Sequence, residues 1–519
     1  MKLLRAITTV AGFTGLSRVF GFIRDILTAA ILGAGPIADA FFVALKLPNF
    51  FRRVTAEGAF SVSFVPLYSE MLEKDGKEKA SVFASNAFAM MLVILVPFTL
   101  LALMAMPYII YAIAPGFADD PIRYDLAVDL SRITFPYLIF MSLTALLGGM
   151  LNAHNKFAPF AAAPILFNVS LILALLFFTD FSETAGHAMA YGIALAGVSQ
   201  FLLLVYFVKK HKLSLTIKVP EFSTNIKKLF KLMGPGVLGA GVMHVNLLVD
   251  LIIASLLASG SISYLYYEDR LNQLPLSMIG IAVGTALLPM LSKAMTAKDI
   301  AGTQNLFNRA LEISLLLSLP AAVALFTIPE TLIGALFERG KFTDADTAIA
   351  ATVLMGYAIG LPAYVASKIF QTAYWSQQDT MSPVKVSIII TLLNIALSLM
   401  LIIPFGVAGI AISTGIVGWL QLGLLYRGIH KNESLQLDKR FGDVVFKIVF
   451  ATLIMAFLLM VSDKYFMVFD DISEIERVTR LMALVIGGMA IYGAGILATG
   501  AIKIADIKQL LLKKDTTNE

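Results

Sequence analysis

"KLPNFFRRVTAEGAF", residues 46–60, places Lys46, Arg52, Arg53 and Glu57 within a stretch that otherwise reads as a membrane-spanning helix. A basic side chain facing lipid at mid-bilayer costs about 2.5–3.5 kcal/mol on insertion scales, so four or five together would cost on the order of 10 kcal/mol or more. Segment 37–67 therefore has to line water or a ligand. Helical spacing gathers the charges: Asp39, Lys46 and Arg53 recur every seven residues, close to two turns, and Arg53 and Glu57 form an i,i+4 pair. Pro48 removes a backbone donor and predicts a bend at that height, with Gly58 as a second soft point.

The surroundings make the stretch membrane-embedded. The chain has 519 residues, 58% hydrophobic and 14% charged. Apolar runs of about 20 residues, enough to cross roughly 30 Å of hydrocarbon, recur along it. They lie at 7–32, 37–67, 81–107, 130–151, 158–178, 186–208, 230–257, 262–291, 310–336, 346–375, 384–403, 406–427, 443–462 and 480–502, fourteen in all. The start "MKLLR" resembles a secretion signal, but Arg18 and Arg24 interrupt the apolar run and no small-x-small site follows, so it reads as a retained first helix. Cysteine is absent, which excludes disulfide frameworks, zinc-thiolate sites, iron–sulfur clusters and cysteine nucleophiles together. The five histidines form no metal-spaced pair. A net charge of +5 would suggest nucleic acid for a water-soluble protein; here the placing of the charges matters more, and no nucleic-acid partner is expected.

Alternate loops differ in basic content, as cytoplasmic and outer loops do. The set that includes both termini, "EKDGKEK", "KKHKLSLTIK…NIKKLFK" and "RGIHKNESLQLDKR" holds 26 of the 40 Lys and Arg; the opposite set, including "APGFADDPIRYD", "TDFSETAGH" and "ERGKFTDAD", holds 7. Both termini are thus expected in the cytoplasm. The other seven, Arg18, Arg24, Lys46, Arg52, Arg53, Arg270 and Lys368, fall inside predicted spans.

The chain also resembles itself. "LGAGPIADAFF" (32–42) matches "LASGSISYLYY" (257–267), "VPLYSEM" (65–71) matches "LPMLSKA" (288–294), "NKFAP" (155–159) matches "DTMSP" (379–383), and "LFNVSL" (166–171) matches "LLNIAL" (392–397), at offsets of 223 to 226. Six spans per copy is an even number, so the copies share one orientation. The expected architecture is an all-α polytopic membrane protein with a central cavity between two six-helix lobes, 1–210 and 230–430. A cytoplasmic connection, 211–229, joins them, and 431–519 adds two helices and a tail.

The first segment extends the charge pattern: Arg18 and Asp25 are seven apart, with Arg24 beside Asp25. The second copy carries less, Glu268, Asp269 and Arg270 in "YLYYEDRLNQLP". Each charge has a plainer reading. Lys46 could snorkel, Arg53 with Glu57 could be a structural ion pair, Asp269 with Arg270 could latch the lobes, and Lys368, alone among apolar neighbours, reads better as structural. The cluster is harder to dismiss, because bases outnumber acids on segment 37–67 and internal pairing leaves positive charge over. Such a surplus calls for an anion, and Arg matches phosphate oxygens two at a time where Lys acts as a point charge.

"SRVFGFIRD" (17–25), "GAGPIADAFFVALKLPNFFRR" (33–53), "AEGAFSVSFVP" (56–66), "APGFAD" (114–119) and "YYEDRL" (266–271) resemble the MurJ/MviN family of bacterial lipid II flippases, within the multidrug/oligosaccharidyl-lipid/polysaccharide exporter superfamily. The resemblance covers essentially the whole chain. It implies export of the undecaprenyl-diphosphate-linked peptidoglycan precursor across the bacterial cytoplasmic membrane by alternating access, with no catalysis and one chain working alone. The last two helices would form a groove for the lipid tail. It also implies that Arg18, Arg24, Asp25, Asp39, Arg52, Glu57 and Arg270 face the substrate, with Lys46, Asn49, Arg53 and Asp269 beside them.

Some members hold a sodium ion in the second lobe. Here Asp250 and Asp379 would supply a carboxylate pair, with Thr391 and Asn394 as further oxygen ligands, while Ile395 offers none; Asp379 reads equally well as a helix cap. No other cofactor is expected. The alternatives are a flippase for another polyprenyl-linked glycan, or a drug or cation antiporter of the same superfamily, which would show acidic and aromatic residues in place of arginines. The seven lysines of 209–231 suit anionic lipid headgroups.

Overall fold

The structure, a computed structural model, describes residues 2–216, 219–430, 435–466 and 473–501, without the side chains of 2–7, 55–57, 238–247, 281 and 466. Among the described residues it is helical, with no strand. Backbone contacts divide it into two units, residues 1–263 with 339–342, and 264–338 with 343–519. The first unit thus reaches past the connection expected at 211–229 and takes in the helix beyond it.

The first unit holds α1 (Lys2–Leu32), α2 (Pro36–Phe51), α3 (Ser61–Lys74), α4 (Gly76–Met104), α5 (Met106–Ile113), α6 (Pro121–Thr134), α7 (Tyr137–Ala153), α8 (Ala158–Phe177), α9 (Ala185–Lys210) and α10 (Thr224–Ser255). The second holds α11 (Ser261–Pro275, its first turn counted with the first unit), α12 (Ala282–Thr296), α13 (Ile300–Thr327), α14 (Pro329–Phe337), α15 (Asp344–Ser376), α16 (Met381–Phe405), α17 (Val407–Ile429), α18 (Lys439–Phe466) and α19 (Glu474–Thr499). Side-chain oxygens supply the amide partners that helix starts lack: Thr184 for α9, Ser223 for α10, and a reciprocal Thr343–Asp346 pair for α15.

Eleven helices of the described residues are long and apolar enough to cross a membrane. The other three expected spans lie on α1, on α2 through α3, and on α10. The first two carry five of the seven basic residues that fall inside predicted spans. α16 shows the inversion that a lipid surround demands: Asn394 and Ser398 are buried, while Leu392, Met400 and Ile403 are exposed. In water such a helix would sit the other way round.

The bend expected at Pro48 takes another form. Arg52–Phe60, joining α2 to α3, is a π-helix. Pro48 has no amide hydrogen to give to the preceding turn, and one turn later the Arg52 amide is shared between the carbonyls of Pro48 and Asn49. Leu276–Ile281, just after Pro275, is a second π-helix. Leu276 follows Arg52 by 224 residues, within the spacing of the sequence repeat.

Each unit builds its core from equivalent positions. Leu67, Phe83 and Leu146 are buried in the first; Leu291, Phe307 and Ile369, 223 or 224 residues later, are buried in the second. Residues 339–342 are counted with the first unit because the Lys341 amide donates to the Ala30 carbonyl at 2.8 Å. Gly340 allows that approach, with φ of +60° and room for no Cβ, which would stand 2.2 Å from the same oxygen.

Candidate anion-binding site

In the first unit the charges on α1 and α2 sort into three settings. Arg24 is buried at 5% exposure. Its Nη2 and Nε donate to Asp25 Oδ1 at 2.6 and 3.2 Å, and its Nη1 donates to Asn168 Oδ1 on α8 at 2.8 Å. The Asn168 amide in turn donates to the Ser17 carbonyl at 2.9 Å, so the guanidinium and the α1–α8 contact fix each other. Phe167 covers the guanidinium at 5.7 Å. Thr28 donates to the Arg24 carbonyl at 2.8 Å.

Around the π-helix the setting is more open. Arg52 is half-buried and its Nε donates to Asn49 Oδ1 at 3.1 Å, while Asn49 Nδ2 donates to the Leu45 carbonyl at 2.9 Å. Lys46 is half-buried; Arg53 and, on α1, Arg18 are exposed. The side chain of Glu57 lies outside the described residues, so the Arg53–Glu57 pair does too.

Asp39 stands apart. It is 0% exposed, and its carboxylate accepts from the Gly260 amide at 2.7 Å, the Ser263 amide at 2.9 Å and the Ser263 hydroxyl at 2.7 Å. Arg123 on α6 lies 3.9 Å away, itself held by Asp120 at 2.7 Å. The seven-residue line from Asp39 to Arg53 thus runs from a closed knot at the first turn of α11 to an exposed guanidinium.

In the second unit, Arg270 Nη2 donates to the Tyr266 hydroxyl at 3.0 Å and stacks on that ring at 5.0 Å, and Asp269 accepts from Gln273. Lys368 lies against Gly280 of the second π-helix. Of the residues expected to hold sodium, Asp250 is half-buried on α10 in the first unit. Asp379, Thr391 and Asn394 belong to the second. Asp379 Oδ1 accepts from the Ser382 amide at 2.9 Å, as a cap does. Hydrogen bonds from Ser382 hold its carboxyl below the usual range. Asn394 Oδ1 accepts from Ser413 at 2.9 Å, joining α16 to α17. No group of three or more carboxylate or imidazole side chains able to hold a metal occurs among the described residues.

Asn168 and Ser263 were missed by the sequence reading. For Asn168 the signal was present: it is the one polar side chain that "LFNVSL" shares at the same place with "LLNIAL", where Asn394 also ties two helices. Between α18 and α19 of the second unit lies a groove of about 620 Å³, lined by Leu458, Leu459, Tyr465, Leu484, Gly488 and Ile491 among others.

Comparison with known proteins gives the family. Residues 28–479 match the family model described as lipid II flippase MurJ. A probable lipid II flippase MurJ of Rhizobium tropici is 38% identical over 439 residues, 84% of this chain and 82% of that one. One of Rhizobium meliloti (strain 1021) is 36% identical over 520 residues, 98% and 96% of the two chains. A solved lipid II flippase MurJ in an inward closed conformation superposes with a TM-score of 0.77 at 28% identity, covering 94% of this chain and 98% of its own. An inward-facing multidrug resistance transporter of the MATE family shares the fold, with a TM-score of 0.69 at 15% identity over 83% and 98% of the chains. A repeat of charged, proline-interrupted helices, polar faces turned inward and a match along nearly the whole length place the chain in the lipid II flippase MurJ family.

Proposed function

We propose that the chain moves lipid II from the inner to the outer leaflet of the bacterial cytoplasmic membrane, working as a single chain with both termini in the cytoplasm. The cationic surface of α1, α2 and the first π-helix takes the diphosphate. One observation carries this reading. Among described side chains of residues 18–53, five are cationic and two are carboxylates, and of the two Asp39 is committed to backbone amides and Ser263. The excess positive charge lies on a stretch that cannot face lipid, and Arg52 and Arg53 remain accessible. Phosphate oxygens suit these guanidinium groups.

The polyprenyl tail stays in the bilayer along the α18–α19 groove, whose glycines leave room for it. Binding the dianion offsets repulsion among the arginines, a difference in contacts that favours one carrier conformation over the other. No bond of the substrate is made or broken. We also propose sodium as a second coupling ion, with Asp250 as a carboxylate that draws it. Rates that are equal in sodium and choline, with Asp250→Ala equally active, would remove it.

The decisive experiment replaces Arg24 or Arg52 by Ala in a flippase-depleted bacterium. Both variants are expected to fail to restore growth and to let lipid II accumulate. Normal growth with both overturns the reading.

A further inference from the structure

α11 carries a buried carboxyl group to which the proposed transport assigns no role. Glu268 is 0% exposed. Among the described residues neither of its carboxyl oxygens has a hydrogen-bond partner. One turn on, Asn272 is 7% exposed and its side-chain oxygen is likewise unmatched. Helix positions four apart stand about 5–6 Å from each other at Cβ. Two acceptors lacking a donor therefore share one face.

The neighbouring titratable and charged groups are engaged elsewhere. On α11, Tyr264 donates to Asp346, Asp269 accepts from Gln273, and Arg270 donates to Tyr266. From α14, whose Phe337 packs on Tyr267, the nearby acids are Glu330, exposed, and Glu338, taken by Arg477 and Thr347. On α15, Asp344 caps Ala345, Asp346 takes Tyr264 and Thr343, Tyr364 and Tyr374 donate to backbone carbonyls, and Lys368 lies at Gly280. Gly280 is twelve residues beyond Glu268, about 18 Å along a helix. None of them hydrogen-bonds to Glu268.

An ionised carboxylate buried without donor or cation costs several kcal/mol. A carboxylic acid removes both difficulties at once, because its O–H can be donated to Asn272 Oδ1. We propose that Glu268 is a proton-binding site: it holds one proton, shared with Asn272, in the packing described, and returns it to water when this face of α11 is hydrated. The proton comes from water and goes back to it, so no other reactant takes part. One packing binds the proton and the hydrated one does not. Conformational balance therefore shifts with pH, by up to about tenfold per unit for a single proton.

Two measurements on the full chain in lipid vesicles test this, the first independent of whether lipid II is the substrate. The infrared difference between wild type and Glu268→Gln at neutral pH should contain a protonated carboxyl band, moved to higher wavenumber by Asn272→Leu. An ionised carboxylate band in its place overturns the proposal. Should Glu268→Gln fail to fold, wild type with isotope-labelled glutamate gives the same reading: a protonated glutamate band at neutral pH supports the proposal and its absence overturns it. Flipping of labelled lipid II is then followed from about pH 6 to about pH 9, where wild type should change severalfold and Glu268→Gln stay flat. Matching pH profiles for the two overturn the coupling.

Discussion

Asp39 shows what a single residue can hide. Its place in a charged line was legible from spacing; its partners, Gly260 and Ser263, were not, because they lie more than 220 residues away in sequence. The carboxylate receives three donors there, two amides and a hydroxyl. Asp39→Asn keeps the size but brings an NH2 group against those donors. We expect it to destabilise the protein by about 1–3 kcal/mol, the range for a buried polar group left unsatisfied. The measurements are a lower melting temperature and faster amide exchange over 257–263; unchanged exchange there would show the knot to be incidental. Arg24 was legible in the opposite sense. A guanidinium in an apolar run announces that it has partners, Asp25 beside it was an obvious one, and Asn168 became visible only when the helices were placed.

At the scale of elements, the long helices follow from length and apolarity, and their ends from caps that the sequence spells out. The carboxylate of Asp379, outside the membrane span, caps α16 through the Ser382 amide. Its pKa is depressed by the hydrogen bonds from Ser382, so its contribution is present above the unfolded value, near about 4, and is lost as pH falls through the lower folded value. Asp379→Ala should cost roughly 1 kcal/mol at neutral pH. The gap in melting temperature between the two proteins should hold down to about pH 5 and close at lower pH. A gap that is absent at neutral pH would mean the cap carries no weight. The π-helices were not legible as such. Proline signalled a disturbance at Pro48, but whether a helix bends or widens depends on what packs beside it, and Gly236 of α10 comes close enough to Ala59 that a Cβ there would stand 3.2 Å from its Cα.

For the whole molecule, duplication was the strongest signal in the sequence. The structure repeats it in buried positions such as Phe83 and Phe307 and in the paired widened turns. Eleven of the fourteen spans recur as long apolar helices among the described residues, and charges interrupt α1 and the α2–α3 stretch among the rest. If the substrate is the dianion proposed above, charge also gives transport a direction. Moving two negative charges outward across a potential that is negative inside gains up to about 4–5 kcal/mol per 100 mV. Collapse of the potential with an ionophore should therefore slow lipid II flipping in vesicles by at least about tenfold. An unchanged rate after full depolarisation would mean that the net charge crossing the field is close to zero.

The widened turn at Arg52–Phe60 amounts to slack stored in a rod. If that slack is expelled and the segment tightens to ordinary α-helical winding, residues on one side turn by about 100° relative to the other, the angle of one residue. With α2 held by burial along most of its length, that turn falls on Phe60 and α3 beyond it, like a key turned in a lock, while Arg52 and Arg53 at the near end stay with α2.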